Sequence, residues 1–229
     1  MENSKILLDR AKNILQEAGM APLDWAVGGG TVLSHYFHHR LSKDIDIFLK
    51  DIQFVGAVSP RLNDEAAEAL DYDEDTRYVS LTFPEGKADF IWAGQITDYM
   101  PHQEMFFSHL VYLEDPVEIV MKKLMYRGDL FLPRDIFDLA MVLHSDRGED
   151  LRQEIWKHRE QTAKFLMPYH DKRDQIQGQL YSVDSRDMLL PGGIAIAAHE
   201  IEICDELMQW IQKKGKNLIQ QNTICRSNQ

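Results

Sequence analysis

The first fifty residues alternate between helical and extended patterns of apolar positions. Between residues 5 and 18 apolar side chains recur every three or four positions, which predicts an amphipathic helix that Gly19 ends. Residues 25–27 are apolar and run into three glycines, after which residues 32–37 have the pattern of a short helix. In residues 44–49 apolar side chains fill every second position, which is the period of a strand.

The middle of the chain is richer in extended patterns. Residues 60–70 have the spacing of a helix, and the acidic run of residues 71–75 is typical of a solvated loop. Residues 77–83 and 87–92 predict a hairpin that turns at a Pro-Glu-Gly sequence. Residues 106–113 predict one more extended segment, so the strands belong to the first half of the chain.

The remainder of the chain has helical patterns. Residues 117–124 place apolar side chains on one face, and Pro133 suits the first turn of a further helix. Helical spacing continues beyond Gly148. Because strands come early and helices late, the order predicts an α+β fold, in which a mixed sheet flanked by helices is followed by a helical C-terminal domain. We place the boundary between residues 145 and 146.

The composition excludes several classes of protein. With 44% hydrophobic and 27% charged residues, the 229-residue chain can form a globular core. No apolar run is long enough to span a bilayer, and the N-terminus lacks the apolar core of a signal peptide. Two cysteines cannot form a disulfide framework. We therefore expect a soluble, cytoplasmic protein with no membrane partner.

The net charge of −12 is unevenly distributed. Residues 151–229 contain 11 basic and 10 acidic residues, which leaves 14 basic and 27 acidic residues in residues 1–150, a net charge of −13. So acidic a segment is a poor general binder of polyanions, because nucleic-acid binding needs positive charge to release counterions. It can bind cations, and through them a single nucleotide. The plainer alternative is that the acidity serves solubility alone.

The strongest candidate chemistry lies in a glycine-rich turn followed by three aspartates. Gly29-Gly30-Thr31 precedes Asp44 and Asp46, which project from one face of a strand because they are two residues apart. Asp89, on a neighbouring predicted strand, would complete an oxygen-rich site of the kind that Mg²⁺ prefers. Two such ions can align an attacking hydroxyl and neutralise a leaving group. The glycines let backbone N–H groups approach phosphates closely.

The order of these motifs resembles the nucleotidyltransferase superfamily, in which Gly-Gly or Gly-Ser precedes Asp-x-Asp. Thirteen residues separate the two motifs here. More closely, Gly29–Leu33 and His39–Phe48 resemble the AbiEii/AbiGii toxin family. That family also has a helix with a lysine and an Arg-Asp-x-x-Asp-Leu segment, which Lys123-Leu124 and Arg134–Leu139 match in order. The resemblance covers about residues 25–143.

The resemblance implies a polymerase-beta-type nucleotidyltransferase domain in residues 1–145 and a helical domain in residues 146–229. It implies that Asp44, Asp46 and Asp89 hold two Mg²⁺ ions, with Mn²⁺ as an alternative metal, and that Asp89 can also act as the base. The nucleotide-binding residues that it implies are Gly29, Gly30, Thr31, Arg40 and Lys123.

The resemblance also implies the reaction and its setting. An NMP would pass from an NTP to an acceptor hydroxyl on a tRNA end, a protein or a small molecule, and pyrophosphate would be released. Lys123 would contact the nucleotide phosphates, and Asp135 or Asp138 would orient that lysine or the nucleotide. The protein would be a toxin of an abortive-infection or toxin–antitoxin system, with a cognate antitoxin as partner.

Each of these residues also has a purely structural interpretation. Asp44 and Asp46 can form an exposed strand face, and Arg40 can be a surface cation or a partner of Asp44. Lys123 can belong to a solvated helix face, and Asp138 can pair with Arg134 one helical turn away. A cluster of three histidines, at positions 35, 38 and 39, can bind a transition metal, although a packed or solvated face is the expected reading.

Two other functional classes stay open. A catalytically silent relative would bind a nucleotide or a partner protein without turnover. A metal phosphohydrolase on a different fold would need histidine-rich metal motifs, which are not evident in the sequence.

Overall fold

The computed structural model of the chain describes residues 2–127, 130, 132–166, 168–169 and 189–227, with side chains up to residue 216. The chain divides into two compact units. Unit 1 comprises Met1–Lys122 and Met188–Gly193, and unit 2 comprises Lys123–Asp187 and Ile194–Gln229. This division differs from the one expected between residues 145 and 146, whose domains stay a prediction.

Unit 1 is built on a seven-stranded mixed sheet. Its strands are β1 (Trp25–Gly28), β2 (Ile45–Leu49), β3 (Asp71–Asp75), β4 (Tyr78–Phe83), β5 (Gly86–Trp92), β6 (His102–Phe106) and β7 (His109–Leu113). They lie in the order β3-β4-β5-β2-β1-β7-β6. The pairs β1–β7 and β2–β5 are parallel, and the other pairs are antiparallel.

Three helices accompany the sheet before the chain reaches β3. They are α1 (Glu2–Glu17), α2 (Gly29–Phe37) and α3 (Gln53–Ala57). Helix α1 contacts β2 and β5, and α2 contacts β1 and β2. The fully buried side chains of α1 include Leu7, Leu8 and Ile14, which confirms the predicted amphipathic helix. The strand residues Val27, Ile45 and Ile47 are likewise fully buried. Since strand side chains alternate between faces, Asp46 and Gly28 lie on the opposite face of the sheet.

Three predictions in the middle of the chain need correction. Residues 60–70 form turns and a single 3₁₀ turn, Ala66–Glu68, because the Asn63 side chain bonds the carbonyl of Ile14 and the N–H of Ala66. The acidic run 71–75 is not a loop but the edge strand β3, where exposed charges discourage pairing with another chain.

The third correction concerns the extended segment predicted at 106–113. It is a hairpin of β6 and β7, and its two turn residues, Phe107 and Ser108, have φ of 45° and 72°. Positive φ at both turn residues matches the right-handed twist of the strands, and no glycine marks the turn in the sequence.

Helix α4 (Pro116–Arg127) begins in unit 1 and ends in unit 2. Unit 2 continues with α5 (Pro133–His144), α6 (Gly148–Lys157), α7 (residues 159–166), α8 (Ile194–Ala197) and α9 (Glu200–Ser227). Pro133 stands in the first turn of α5, as predicted. Helix α5 packs against α6, α8 and α9, so unit 2 is helical throughout its described part.

The short segment Met188–Gly193 returns to unit 1. Leu189 forms an antiparallel bridge with Arg40, and the N–H groups of Leu190 and Gly192 donate to the carbonyls of His39 and His38 at 3.0 and 2.9 Å. Unit 1 is therefore assembled from two separate stretches of the chain.

The mixed sheet with its flanking helices and the helical C-terminal region confirm the predicted α+β class. No helix in the described part of the chain is both long enough and apolar enough to cross a membrane.

Candidate active site

The glycine-rich turn joins β1 to α2. Gly29 begins α2 with φ of +67°, a left-handed conformation that side chains disfavour. A Cβ on Gly29 would overlap Oδ2 of Asp46, and a Cβ on Gly30 would overlap the guanidinium of Arg40. These two positions therefore need glycine for space, and they let the backbone lie directly against an acidic and a basic side chain.

Two of the three predicted aspartates are half-buried and lie side by side on one face of the sheet. Asp46 of β2 is in register with Asp89 of β5 on one side and with Gly28 of β1 on the other. Ser80 of β4 is in register with Asp89 and donates its hydroxyl to Oδ1 of Asp89. Sequence inspection did not identify Ser80, because its contact depends on the pairing of β4 with β5.

Asp44 lies immediately before the strand that carries Asp46. It precedes β2, which begins at Ile45, and its Oδ1 accepts a hydrogen bond of 3.3 Å from the backbone N–H of Lys87. Its part in a metal site shared with Asp46 and Asp89 stays a prediction. No group of three or more His, Cys, Asp or Glu residues is gathered closely enough for a metal ion within the described residues.

The chemistry of the remaining donors nevertheless fits a magnesium ion. Asp46 and Asp89 offer carboxylate oxygens on adjacent strands, and the lack of a side chain on Gly29 lets the Asp46 carboxylate lie directly against the glycine turn. Mg²⁺ binds through one or two carboxylates and keeps several waters and phosphate oxygens as its other ligands. Two adjacent carboxylates are therefore sufficient donors from the protein.

The predicted nucleotide-binding residues Thr31 and Arg40 are both buried near the turn. The Thr31 hydroxyl donates to the backbone carbonyl of Asp44, so this side chain fixes the loop before β2. Arg40 is 6% exposed, and its guanidinium lies against Gly30, which excludes the surface-cation interpretation. A buried guanidinium next to the N-terminus of a helix is suited to an anion such as a phosphate.

The sequence analysis did not identify a second group of charged residues in unit 1, Glu114, Glu118 and Lys122. Glu114 follows β7 and is 1% exposed, and Oε1 of its carboxylate accepts a hydrogen bond from Lys122. The Lys122 ammonium also lies 3.5 Å from Glu118 and 4.2 Å from the centre of the Phe48 ring. Burial raises the pKa of Glu114 to about 7, which Lys122 offsets only in part. The only sign of Glu114 in the sequence is its position, since it is an acidic residue directly after a predicted strand.

Lys123, Asp135 and Asp138 form an ion-pair cluster in unit 2. The Lys123 ammonium lies 2.8 Å from Asp135 and 2.9 Å from Asp138, and Arg127 lies 3.0 Å from Asp135. Both aspartates are almost fully buried. Burial acts to raise the pKa of Asp135, but the charges of Lys123 and Arg127 outweigh it, so the pKa is lowered. Two buried carboxylates thus hold the ammonium of Lys123 in place. The sequence analysis expected Asp135 or Asp138 to orient this lysine.

The three histidines at and after the end of α2 have different surroundings. His35 lies 2.9 Å from Glu104 of β6, whose carboxylate also accepts a hydrogen bond of 3.1 Å from Tyr36. His39 is fully buried and His38 is exposed. Two of the histidines are therefore packed against the protein, and the third faces solvent.

No curated protein matches the chain. The solved structures that are similar to it include two nucleotidyltransferases. One is MenT4, a nucleotidyltransferase toxin from Mycobacterium tuberculosis H37Rv, with 16% identity, a TM-score of 0.46, and coverage of 91% of this chain and 87% of that chain. The other is an H. pylori protein named as a nucleotidyltransferase, with 15% identity, a TM-score of 0.44, and coverage of 93% and 98%.

The family described as "Nucleotidyl transferase AbiEii toxin, Type IV TA system" matches residues 17–195, which is more than half of the chain. The match includes the glycine turn, the acidic strands and the Lys123 cluster. The chain is therefore a nucleotidyltransferase that belongs to the AbiEii toxin family of type IV toxin–antitoxin systems.

Proposed function

We propose that the chain transfers a nucleoside monophosphate from an NTP to an acceptor hydroxyl in a magnesium-dependent reaction. The observation that supports this most directly is the in-register pair Asp46 and Asp89 beside the glycine turn. A pair of carboxylates next to backbone N–H groups at a helix N-terminus suits a metal–triphosphate complex, because the carboxylates attract the metal ion and the N–H groups attract the phosphates.

The triphosphate would lie at the N-terminus of α2. Backbone N–H groups at Gly29 and Gly30 would bind the phosphates, since glycine adds no side chain of its own between the backbone and a ligand. The buried guanidinium of Arg40, which packs against Gly30, adds a fixed positive charge there. Such fixed charges stabilise the negative charge that develops during phosphoryl transfer at little cost of reorganisation.

Asp46 and Asp89 are the residues that would hold Mg²⁺, and Asp44 would complete the set if its carboxylate left the Lys87 N–H. When bound, the ion would neutralise phosphate charge and align the reacting oxygens. Mn²⁺ has the same preference for oxygen ligands and is the alternative. Ser80 fixes the orientation of Asp89, which we assign as the base for the acceptor hydroxyl.

The roles of Lys123, Asp135 and Asp138 toward the nucleotide stay predictions. Their geometry supports the part of the prediction that concerns the lysine itself, since two buried carboxylates hold its ammonium in place. A lysine held in this way loses little rotamer freedom when it meets a phosphate.

The family implies an NTP as substrate and a cognate antitoxin as partner. For the acceptor we propose the end of an RNA such as tRNA, with a protein hydroxyl or a small molecule as the alternatives. The net charge of −13 on residues 1–150 disfavours a long nucleic-acid footprint there, so a terminal nucleotide is a better match than an extended RNA segment.

The test is transfer of label from each α-³²P NTP, with Mg²⁺ and total cellular RNA, repeated with a protein extract. We expect transfer by the wild type and a loss of about 100-fold or more in Asp46→Asn, because the substitution removes a charged metal ligand. Asp64→Asn, which changes an exposed aspartate of unit 1, is the matched control and should keep wild-type activity.

Two results would contradict the proposal. Equal label transfer by Asp46→Asn and wild type would exclude the assigned metal site. Magnesium-dependent nucleotide binding without transfer to any acceptor class would instead support the catalytically silent alternative.

A further inference from the structure

Glu114 lies on the same face of the sheet as the candidate metal ligands. Leu113 of β7 is in parallel register with Val27 of β1, and both are buried in the core. Gly28 of β1 therefore lies on the opposite face, in register with Asp46, and Glu114, which directly follows β7, lies beside it because its N–H continues the pairing with β1. The N–H of Glu114 donates to the Val27 carbonyl at 2.9 Å, which fixes this position.

The two oxygens of the Glu114 carboxylate have different surroundings. Oε1 accepts a hydrogen bond from Lys122, whose ammonium is itself held over the Phe48 ring. Oε2 is buried and has no hydrogen-bond partner among the described residues. A buried carboxylate oxygen without a hydrogen-bond donor is unfavourable, because burial removes its hydrogen bonds to water and no protein group replaces them. A donor that the protein itself does not supply is therefore expected at this oxygen.

The direction of Oε2 indicates where that donor lies. Oε2 is 2.5 Å from the position that a Cβ on residue 28 would occupy, so it reaches over Gly28 toward the strand that carries Asp46. Asp46 is in register with Gly28, and a Cβ on Gly29 would overlap its carboxylate, so both carboxylates lie against the glycine turn. Neighbouring carboxylates repel each other unless a cation or a proton donor lies between them.

We propose that Glu114 is a positioning residue for the divalent cation held at Asp46 and Asp89, and that its Oε2 accepts a hydrogen bond from a water ligand of that cation. This rests on the proposed function, because it requires the metal site. Contact through water is favoured over direct ligation because no three carboxylates converge within the described residues, and Mg²⁺ commonly retains waters. Lys122 would hold the other oxygen and so fix the orientation of the carboxylate.

The experiment measures Mn²⁺ binding by electron paramagnetic resonance and isothermal titration, with no nucleotide present. We expect Glu114→Gln to weaken Mn²⁺ binding about 10-fold, since loss of a partner that orients a metal ligand typically costs 10–100-fold in affinity. Glu104→Gln is the matched control, because it makes the same change in unit 1 beside the other end of α2 and should bind Mn²⁺ as the wild type does.

The outcomes separate this inference from the proposed function. If the wild type binds Mn²⁺, and Asp46→Asn abolishes binding, but folded Glu114→Gln keeps wild-type affinity, the inference is overturned and the metal site stands. If the wild type binds no Mn²⁺, or Asp46→Asn binds it unchanged, the metal site of the proposed function fails.

A second variant covers the case in which Glu114→Gln does not fold. Glu114→Asp keeps the negative charge next to Lys122 but is one methylene shorter, so its carboxylate cannot reach as far over Gly28. We expect weaker Mn²⁺ binding in this variant too, and wild-type affinity in folded Glu114→Asp would overturn the inference. Circular dichroism establishes which variants are folded.

Discussion

Two glycines of unit 1 adopt left-handed backbone conformations in different surroundings. Gly19, which ends α1, has φ of +73° and nothing within 4 Å of the position of a Cβ. Gly29 has a similar φ of +67°, but its Cβ would collide with Asp46. A side chain at either position would therefore strain the backbone, but only a side chain at Gly29 would also displace Asp46.

Alanine at these two positions should separate that backbone cost from the effect on the site. Both Gly19→Ala and Gly29→Ala should lower the free energy of unfolding by about 1–3 kcal/mol, because a non-glycine residue is strained at positive φ. Only Gly29→Ala should also lose nucleotidyl transfer, by about 100-fold, because Asp46 must move. Denaturant titration and the labelling assay measure the two effects, and a fully active Gly29→Ala enzyme would contradict the assigned site.

At the residue scale, the sequence predicts those site residues that belong to local motifs. Gly29, Gly30 and Asp46 were found because a glycine turn and an Asp-x-Asp strand are visible within a few positions. Glu114 and Ser80 were missed because each meets the site only through the order of strands in the sheet. Asp44 lies one residue before the first residue of β2, so its place in the site stays a prediction.

Helix α4 shows how one element carries two separate ion-pair clusters. Its consecutive residues Lys122 and Lys123 bind different acids, Glu114 and Glu118 in unit 1 and Asp135 and Asp138 in unit 2. Successive residues of a helix point about 100° apart, so adjacent lysines face different neighbours. The Lys-Lys pair therefore has two structural functions that the sequence does not distinguish.

Removal of Lys123 should destabilise the protein strongly. Lys123→Ala leaves Asp138 and Asp135 buried with one cation fewer, and we expect the free energy of unfolding to fall by about 3–5 kcal/mol. Adding Asp138→Asn should restore part of that loss, because it removes one of the uncompensated charges. Arg127→Ala is the control with a smaller expected effect, since its side chain is 36% exposed. Urea titrations that show no effect of Lys123→Ala would contradict the buried-pair account.

At the element scale, amphipathic helices were predicted better than solvent-exposed strands. Helix α1 and helix α5 have buried faces with helical period, so their pattern is visible in the sequence. Strand β3 is exposed along its length and consists largely of acidic residues, so it has no apolar pattern that distinguishes it from a loop. Its existence depends on hydrogen bonds to β4 that no local pattern reports.

At the scale of the whole molecule, stability should depend on pH through a buried acid of unit 2. Glu200, at the start of α9, is 6% exposed, and burial raises its pKa to about 8 from the ordinary value of 4.5 for a glutamate. Between these two values the folded chain keeps a proton that the unfolded chain has released. This group's contribution to stability is therefore complete below pH 4.5 and is lost as the pH rises through 8.

Glu200→Gln should remove that dependence. Relative to the wild type, we expect the variant to gain stability as the pH rises, by on the order of 3 kcal/mol between pH 5 and pH 8. Thermal unfolding across this range measures the effect. Glu206→Gln, which changes an exposed residue of the same helix, should show a nearly constant difference from the wild type. A constant difference for Glu200→Gln as well would exclude the raised pKa.

The return of Leu189–Gly193 to the unit that contains Asp46 and Asp89 has a consequence for how that unit can be inherited. A gene fragment that stops after codon 145 would omit the stretch that pairs with the backbone at His38, His39 and Arg40. A recombination event that transfers the complete unit 1 to another gene must therefore transfer both of the coding segments from which the unit is assembled.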